Sequence, residues 1–357
     1  MSRKNNQAAP VGGVPAARGA RVGQDGNRGG TGAPPSNTAP DNSISVQPLR
    51  WGIDSLYLSY PGELSPAALS SLKALKLMAQ GPEHEAAKAQ LQIGDHCFEV
   101  RDKSTGLFAF TLADGAFLIR LSAGKSKTLP MAYVQVSSGL LAHKSPVLIE
   151  QELRWLLGEL GSVEPPKVSR IDLFTDFASM ASMEAWDRSA WVTKASAVHQ
   201  YAEGSTFTGW TIGAGGALMA RLYHKLLELQ KSGKQYLLDL WREAGWDGEM
   251  PVWRLEFEFR REVLAQLKLD GLPAVLGALS GLWSYASTEW LTLRIPNHSD
   301  RTRSRWPIHP LWVALASIDW ETRGGSLSRT FAPTRAPSPD WLGARALSMI
   351  ASMAAVN

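Results

Sequence analysis

Hydrophobic and polar residues alternate along several short segments, and this period of two is that of a half-buried β-strand. The strictest case is WRLEFEFR (253–260), which has aromatic and aliphatic residues on one face and charged residues on the other. SRIDLFTDF (169–177), ALMARLYHK (217–225) and RWGIDSLYLSY (50–60) alternate in the same way. These four segments are predicted to be strands.

Five shorter segments are also predicted to be strands because they combine β-branched and aromatic residues with turn residues at their ends. Asp114-Gly115 between two of them predicts a tight hairpin. The five segments are CFEVRD (97–102), GLFAFTL (106–112), AFLIRLS (116–122), AYVQVSS (132–138) and TFTGWTIG (206–213).

Apolar residues at helical spacing predict helices at 65–78, 145–161, 182–202 and 226–246, and in parts of 264–286. The first begins at a Ser-Pro pair that is typical of a helix start, and Ser-Gly at 232–233 weakens the fourth. A group of strands followed by a helix occurs twice. The predicted fold class is therefore α+β, with antiparallel sheets, helices packed on one face and two similar strand-and-helix halves.

Composition divides the chain into three parts. Residues 1–45 are rich in Gly, Pro, Ala and Asn, with five basic against two acidic residues, so we expect a disordered, weakly basic tail. Residues 46–323 are expected to form the folded domain, and 324–357 a loop and a short helix. The net charge of +4 then leaves only +1 outside the tail, so any DNA-binding surface must be a local patch.

Cysteine and hydropathy limit the class of protein further. Cys97 is the sole cysteine among 357 residues, which excludes a disulfide framework and a Cys-rich zinc site. No stretch of about 18 apolar residues or secretory signal is present, so neither membrane association nor secretion is expected. The expected compartment is the reducing cytoplasm.

Acidic residues within two strands are candidate metal ligands. Asp172 lies between Ile171 and Leu173, where aspartate is disfavoured, and Asp176 lies near the end of the same strand. Glu256 and Glu258 share a strand face about 7 Å apart, close enough to converge on one hard cation such as Mg²⁺ or Mn²⁺. Taken alone, WRLEFEFR is more typical of a solvated sheet face with Arg–Glu pairs, and Asp176 of an ordinary strand end.

Tyr223 is the candidate nucleophile because Arg221 and Lys225 flank it on its own strand face. Adjacent cations or a metal would lower the pKa of the phenol, ordinarily near 10, and the same cations could hold a phosphodiester. An ordinary amphipathic strand remains the alternative. If the three strands share one sheet, tyrosine, cations and carboxylates together would suit metal-dependent cleavage of DNA.

Other classes of site are excluded by their motifs. The seven histidines include no His-hydrophobic-His pair, which a different class of DNA-nicking enzyme uses to bind its metal. They also include no His-Glu-x-x-His zinc motif. The glycine-rich GAGGA (213–217) lacks the Lys-Ser/Thr of a phosphate-binding P-loop. Arg301, Arg303 and Arg305 form a cationic row beside Trp306 that would suit DNA phosphates, or else a solvated loop.

RIDLFTDF (170–177), a glycine-rich turn, ARLYHK (220–225) and WRLEFEFR (253–260), in this order and spacing, resemble the replication initiation factor family. These are the Rep-trans-like initiators of rolling-circle plasmids, filamentous phages and some integrative elements. The resemblance spans about residues 50–320. The sequence departs from the family at GAGGA, where plasmid initiators often carry Gly-Ser-Arg-x-Ser. Three further segments are similar: WGIDSLYLSY (51–60), AYVQVSSG (132–139) and RWPIHPLW (305–312).

The resemblance implies a metal-dependent enzyme that nicks and rejoins one DNA strand at a replication origin through a 5′-phosphotyrosyl intermediate. It implies Tyr223 as nucleophile, with Asp172, Glu256 and Glu258 as the acidic residues. Origin DNA, single-stranded or cruciform, is the expected partner, with a host helicase and a homodimer also considered. A non-catalytic DNA-binding regulator, or a relaxase for conjugative transfer, are the alternatives. The residues predicted to contact DNA are Arg170, Arg254, Arg301, Arg303 and Arg305.

Overall fold

The structure is a computed structural model that describes residues 45–320, apart from positions 105, 125 and 127. The tail predicted for residues 1–45 falls, except for its last residue, outside the described part. The loop and helix predicted for 324–357 lie wholly outside it. Both therefore stay predictions.

Fifteen strands are present among the described residues, and eleven of them form one sheet. The two smaller sheets pair β2 with β8 and β10 with β15. The strands are β1 (Gln47–Tyr60), β2 (Gly62–Leu64), β3 (Gln90–Ile93), β4 (His96–Val100), β5 (Phe110–Ala113), β6 (Phe117–Leu121), β7 (Ala132–Val136), β8 (Gly161–Val163), β9 (Lys167–Ala178), β10 (Trp191–Thr193), β11 (Val198–Glu203), β12 (Thr206–Ile212), β13 (Leu218–His224), β14 (Val252–Arg260) and β15 (Leu291–Leu293).

The large sheet is antiparallel throughout, in the order β11-β12-β13-β14-β9-β1-β7-β6-β5-β4-β3. The two longest strands, β1 and β9, pair at its centre. On either side of this pair the chain returns through a run of antiparallel neighbours, so each half of the chain supplies one long strand and its meander. The predicted α+β class is confirmed.

Ten α-helices complete the described part of the fold. They are α1 (Pro66–Ala79), α2 (Glu83–Ala86), α3 (Ser138–His143), α4 (Pro146–Gly158), α5 (Lys225–Ser232), α6 (Tyr236–Glu243), α7 (Arg261–Gln266), α8 (Leu272–Leu276), α9 (Leu279–Ser284) and α10 (Pro310–Ala316). Ser65 and Ser145 cap α1 and α4 as the sequence predicts. Gly233 ends α5 in the left-handed conformation, which confirms the weak point predicted there.

The main hydrophobic core lies on one face of the large sheet. Alternate residues of the central strands, such as Leu56, Leu173 and Phe257, point into it and are fully buried. The opposite face carries the charged residues of β9, β13 and β14. One end of that face is covered by α5 and α6, which pack there through a second apolar cluster that includes Trp241.

The helix predicted for 182–202 is wrong. Two short 3₁₀ turns, β10 and β11 occupy this segment instead. Its tryptophans pack on aromatic rings from distant parts of the chain: Trp191 lies 5.8 Å from Trp210 and 5.7 Å from Trp312, measured between ring centroids. The apolar spacing therefore reflects tertiary contacts with other segments rather than one helix face.

No helix among the residues that the structure describes is long and apolar enough to cross a membrane.

Gly209 on β12 is a specific constraint on the position of the candidate nucleophile. Its φ is +152°, and a Cβ there would lie 2.2 Å from the carbonyl oxygen of Leu222 and 2.9 Å from the Cβ of Tyr223. We expect Gly209→Ala to lower the free energy of unfolding by about 2 kcal/mol, because strain and overlap both act on β13. Urea denaturation at neutral pH measures this loss.

The matched control is Gly124→Ala, since a Cβ at Gly124 meets no atom within 4 Å. We expect its unfolding free energy to stay close to that of the wild type. Equal effects of the two substitutions would contradict the close approach of β12 to Tyr223.

Candidate functional site

The three strands predicted to carry the site are neighbours in the sheet, in the order β13-β14-β9. Arg221 of β13 lies opposite Glu256 of β14, and Glu258 lies opposite Asp172 of β9. All four side chains point to the face away from the main core. The register therefore gathers residues that are up to 86 positions apart in sequence into one charged cluster.

Tyr223 lies at the edge of this cluster, half-buried in a cleft of about 550 Å³. Its hydroxyl donates a hydrogen bond to Oε2 of Glu256 at 3.2 Å. The cleft also exposes cationic and aromatic side chains from three strands and α5. Its lining includes Tyr201, Thr211, Arg221, His224 and Lys231.

Arg221 provides the point on which the carboxylates converge. Its Nη2 lies 2.8 Å from Oε1 of Glu256, 3.3 Å from Oε2 of Glu258 and 3.8 Å from Oδ2 of Asp172. One nitrogen thus neutralises three carboxylates in part. Arg221 alone does not balance the charge of the three carboxylates.

Two further arginines complete the cluster on the side away from Tyr223. Arg170 donates to both oxygens of Asp172, with Nε at 2.8 Å from Oδ1, and its Nη2 lies 2.9 Å from Glu258. Arg260 donates from Nε to Glu258 at 2.6 Å. Arg170, predicted to bind DNA, is therefore engaged with carboxylates in this structure.

The pKa values of two carboxyl groups respond to this environment. Burial raises the pKa of Asp172 to about 7, and the adjacent Glu256 and Glu258 add to the rise, while Arg170 opposes it. Burial also raises the pKa of Glu256, with Asp54 adding to the effect and Arg221 opposing it. A carboxylate with a raised pKa is a better proton acceptor than an ordinary glutamate.

The prediction that cations lower the pKa of the Tyr223 phenol is wrong for this structure. Burial and the negative charge of Glu256 raise that pKa well above 10, and Arg254 opposes the rise only in part. The phenol is therefore protonated at neutral pH. Its activation requires a proton acceptor, and Glu256 is in hydrogen-bonding position.

Lys225 differs from its predicted role as a second phosphate-holding cation. It is the first residue of α5 rather than part of the strand, and it is 1% exposed. Its Nζ donates to Glu228 at 2.5 Å and lies 5.4 Å from the centroid of the Tyr223 ring. Lys225 is thus in position to support the Tyr223 ring, and it has no open path to a phosphate.

A second ion network lies next to the cluster and is buried. Arg254 of β14, 1% exposed, donates to both oxygens of Asp176 at 2.6 and 2.8 Å and to Asp54 of β1. Trp241 of α6 donates to Asp176 at 2.9 Å, and the Arg254 guanidinium lies 3.9 Å from the centroid of Phe174. This network links β14, β9, β1 and α6.

Two predicted roles therefore change. Asp176, proposed as a metal ligand, has both oxygens occupied by Arg254 and Trp241. Arg254, proposed to bind DNA, is enclosed by its partners and faces no solvent. Both residues fit a structural role, which the alternation of polar residues alone did not distinguish from a functional one.

The predicted cationic row at 301–305 lies elsewhere. Arg303 donates to the backbone carbonyl of Trp191, and Trp191 packs on Trp210, which belongs to the core side of the sheet, opposite to Tyr223. Arg305 pairs with Asp300 at 2.8 Å. Arg301 is exposed in the same loop. The row does not join the charged cluster, and the adjacent Trp306 is buried rather than available for stacking.

A divalent metal ion has suitable donors at the cluster, although another cation holds the position. No three or more His, Cys, Asp and Glu side chains in the described residues are arranged to hold a metal ion. Yet Asp172, Glu256 and Glu258 supply the hard oxygen ligands that Mg²⁺ and Mn²⁺ prefer, and all three lie within 4 Å of one Arg221 nitrogen. The chemistry of the donor set suits such an ion, but in this arrangement the three carboxylates are paired with arginines.

Several residues of the site escaped prediction from the sequence. Asp54 lies in an apolar strand, next to a register shift that turns it towards Arg254. Tyr201 was placed on a helix, but it lies on the edge strand β11 with 49% of its surface exposed. HQYAE (199–203) carries no hydrophobic alternation and all five residues are exposed, so a period of two could not identify this strand.

No protein-family model matches the chain, and no curated protein matches it. Among solved structures, it is similar to a rolling circle replication initiator protein from Geobacillus stearothermophilus, with 13% sequence identity and a TM-score of 0.41. The match covers 76% of this chain and 96% of that one. That description agrees with the family that the sequence resembles. At this identity and TM-score the likeness carries no argument about activity, which rests on the site itself.

The raised pKa of Asp172 predicts a pH dependence of stability. The folded state holds this proton up to about pH 7, whereas the unfolded chain releases it near pH 4. The resulting stabilisation is present at low pH and lost as the pH rises from about 4 to about 7. We expect Asp172→Asn to remove this decline, as measured by urea denaturation across that range.

Asp95→Asn serves as the control, because Asp95 is exposed and lies on a distant turn. Its stability should follow the pH dependence of the wild type. Parallel curves for wild type and Asp172→Asn would show that Asp172 is ionised throughout.

The buried network predicts a large effect of one isosteric substitution. Asp176→Asn leaves Arg254 with a weakened partner in the interior, and we expect a loss of about 3 kcal/mol in the free energy of unfolding. Denaturation with urea at neutral pH measures it. Asp300→Asn, which alters the exposed pair with Arg305, should change stability little. Similar small losses for both would mean that the buried network is not a structural requirement.

Proposed function

We propose that this protein is a DNA strand-nicking and joining enzyme that initiates rolling-circle replication, with Tyr223 as its nucleophile. The observation that carries the proposal is the hydrogen bond from the Tyr223 hydroxyl to Glu256 beside Arg221, at the wall of an open cleft. A phenol, a proton acceptor and a cation for phosphate within a few ångströms are the groups that attack on a phosphodiester requires.

The reaction can be written from these groups. The phenol oxygen of Tyr223 attacks the phosphorus of one phosphodiester, and its proton passes to the carboxylate of Glu256. A bond forms between the tyrosine oxygen and phosphorus, the bond from phosphorus to the 3′ oxygen breaks, and that oxygen takes up a proton from water. The product is a 5′-phosphotyrosyl ester with a free 3′ hydroxyl. The ester keeps the energy needed for rejoining.

The charges around Tyr223 suit this reaction. Arg221, 36% exposed through its side chain, is the cation in reach of a phosphate in the cleft. Asp172, Glu256 and Glu258 are the residues that would hold Mg²⁺ or Mn²⁺. When bound, such an ion would polarise the scissile phosphate and offset its developing charge. In that state Arg221 is free to turn from the carboxylates to the DNA.

A non-catalytic DNA-binding regulator is the second candidate, and one observation favours it. Arg170, Arg221 and Arg260 already neutralise the carboxylates that a metal ion would need. If these ion pairs are permanent, the same face binds DNA without cutting it. A relaxase for conjugative transfer would use the same chemistry as the initiator on a different DNA.

The proposed partner is origin DNA, single-stranded or extruded as a cruciform, with a host helicase to continue unwinding. We place this activity in the bacterial cytoplasm. Plasmid, phage and integrative element are the possible genetic settings, and a homodimer could serve the two nicks of a replication cycle.

The proposal predicts nicking of supercoiled DNA. We expect the purified protein with Mg²⁺ or Mn²⁺ to convert a supercoiled plasmid carrying its own origin to the open circle. Tyr223→Phe should reduce the rate at least about a thousandfold and leave DNA binding intact. Glu256→Gln should slow it about 100-fold or more through loss of the proton acceptor. Agarose gels measure nicking and a filter assay measures binding.

Tyr201→Phe is the matched control, because Tyr201 lines the same cleft and is more exposed than Tyr223. It should nick at the wild-type rate. Loss of nicking in this variant, with retention in Tyr223→Phe, would move the nucleophile to Tyr201. DNA binding without nicking under every metal condition would support the regulator.

A further inference from the structure

The charged face continues beyond the cluster into a group of aromatic rings and arginines that the proposed reaction does not use. Tyr57 of β1 lies opposite Arg170 of β9, and Tyr133 of β7 lies opposite Arg120 of β6. Phe108 precedes β5 and contacts Tyr133. We call Tyr57, Phe108, Arg120, Tyr133 and Arg170 the aromatic–arginine surface.

The geometry of this surface alternates rings with guanidinium groups. The centroid of the Tyr133 ring lies 5.9 Å from that of Tyr57 and 5.9 Å from that of Phe108. Arg170 lies 5.0 Å from the Tyr57 centroid, and Arg120 lies 5.7 Å from the Tyr133 centroid. A guanidinium that lies over a ring has one plane turned away from that ring. That free plane and the aromatic rings are suited to stacking with nucleobases.

Within the described part of the chain, these five side chains are only partly covered. All five are half-buried, whereas residues of the same strands on the core face, such as Leu58 and Val134, are fully buried. α5 and α6 pack at the other end of this face, around Asp176 and Trp241. The rings are thus partly open to solvent, at the end of the face away from α5 and α6.

Arg120 indicates the charge of a ligand that this surface could bind. Among the described residues it has no carboxylate within ion-pair distance, and its Nε is buried without a hydrogen-bond acceptor. Arg170 and Arg260, by contrast, are paired with Asp172 and Glu258. A polyanion that also carries flat rings satisfies both features of the surface, the free cation and the open aromatics.

We propose that the aromatic–arginine surface binds an unpaired segment of the DNA strand, with bases stacked on Tyr57, Tyr133 and the arginines and a phosphate at Arg120. This inference rests on the proposed function, since it extends the path of the strand that Tyr223 cleaves. The surface would bind single-stranded DNA in preference to duplex DNA, because bases paired within a duplex cannot present their faces to the rings.

The position of the surface fits a continuous path for one strand. Tyr57 is three strands from Tyr223 across the sheet and six residues away along it, which is roughly 25 Å on an untwisted sheet. At about 3.4 Å per stacked nucleotide this is a span of about seven nucleotides. Arg170 connects the two regions, because it touches both Asp172 and the Tyr57 ring.

Fluorescence anisotropy with a labelled 20-nucleotide single strand tests the proposal on the full chain, without any requirement for cleavage. Tyr57→Leu and Tyr133→Leu keep an apolar side chain but remove the ring, and each should weaken single-strand binding about tenfold. Arg120→Gln should weaken binding and lower the slope of log affinity against log salt by about one. Affinity for a duplex of the same sequence should change less than twofold in the two tyrosine variants.

Trp155→Leu is the matched control, since Trp155 is an exposed ring on α4, outside the surface. Its single-strand affinity should equal that of the wild type, as should that of Tyr223→Phe. Circular dichroism confirms folding of each variant, and Arg120→Gln decides the question should both tyrosine variants fail to fold.

Unchanged single-strand binding in the folded variants would overturn the proposal and leave the nicking reaction untouched. Equal losses for single strand and duplex would also overturn it, because the surface would then act only through charge. Conversely, the wild type could bind DNA without nicking it while the tyrosine variants lose single-strand affinity about tenfold. That result would support the proposed binding surface and reject the proposed function.

Discussion

The buried guanidinium of Arg254 is the interaction on which the rest of the site depends. It pairs with Asp176 on β9 and Asp54 on β1, and Trp241 of α6 completes the coordination of Asp176. A buried charge that loses its partner costs several kcal/mol, so the strands are held in one register. A slip of one residue would turn every charged side chain of β14 into the hydrophobic core. The same register places Glu256 two residues further on, against Tyr223 and Arg221.

The carboxylates of the site are buried and paired with arginines. Burial raises the pKa of Asp172 and Glu256, neighbouring carboxylates add to the rise, and the phenol of Tyr223 keeps its proton. Arg221 links these groups, because it is both a counter-ion of the carboxylates and a cation that lines the cleft. A phosphate or a divalent ion entering the cluster would compete for these same contacts. Under the proposed function, the charge balance of the cluster would couple the binding of DNA or a metal ion to activation of the phenol.

Alternation in the sequence predicted the strand faces correctly, because a period of two records burial directly. It identified the core-facing residues of β14 and brought Asp172, Glu256 and Tyr223 to attention. Which charged residues pair with each other depends on register, which a single sequence does not contain. For this reason Arg254 was predicted to face DNA although it is enclosed by its partners. The segment 182–202 failed differently, since the spacing of its tryptophans imitates a helix but serves contacts with distant segments.

The central claim is that one side chain, Tyr223, becomes covalently joined to DNA. The most direct measurement begins with reaction of the protein with an origin oligonucleotide in Mn²⁺, followed by digestion. Mass spectrometry then identifies the peptide that retains a nucleotide. We predict a single modified peptide with the phosphate on Tyr223. A nucleotide on Tyr201 or any other residue, or an enzyme that cleaves without forming an adduct, would contradict the account.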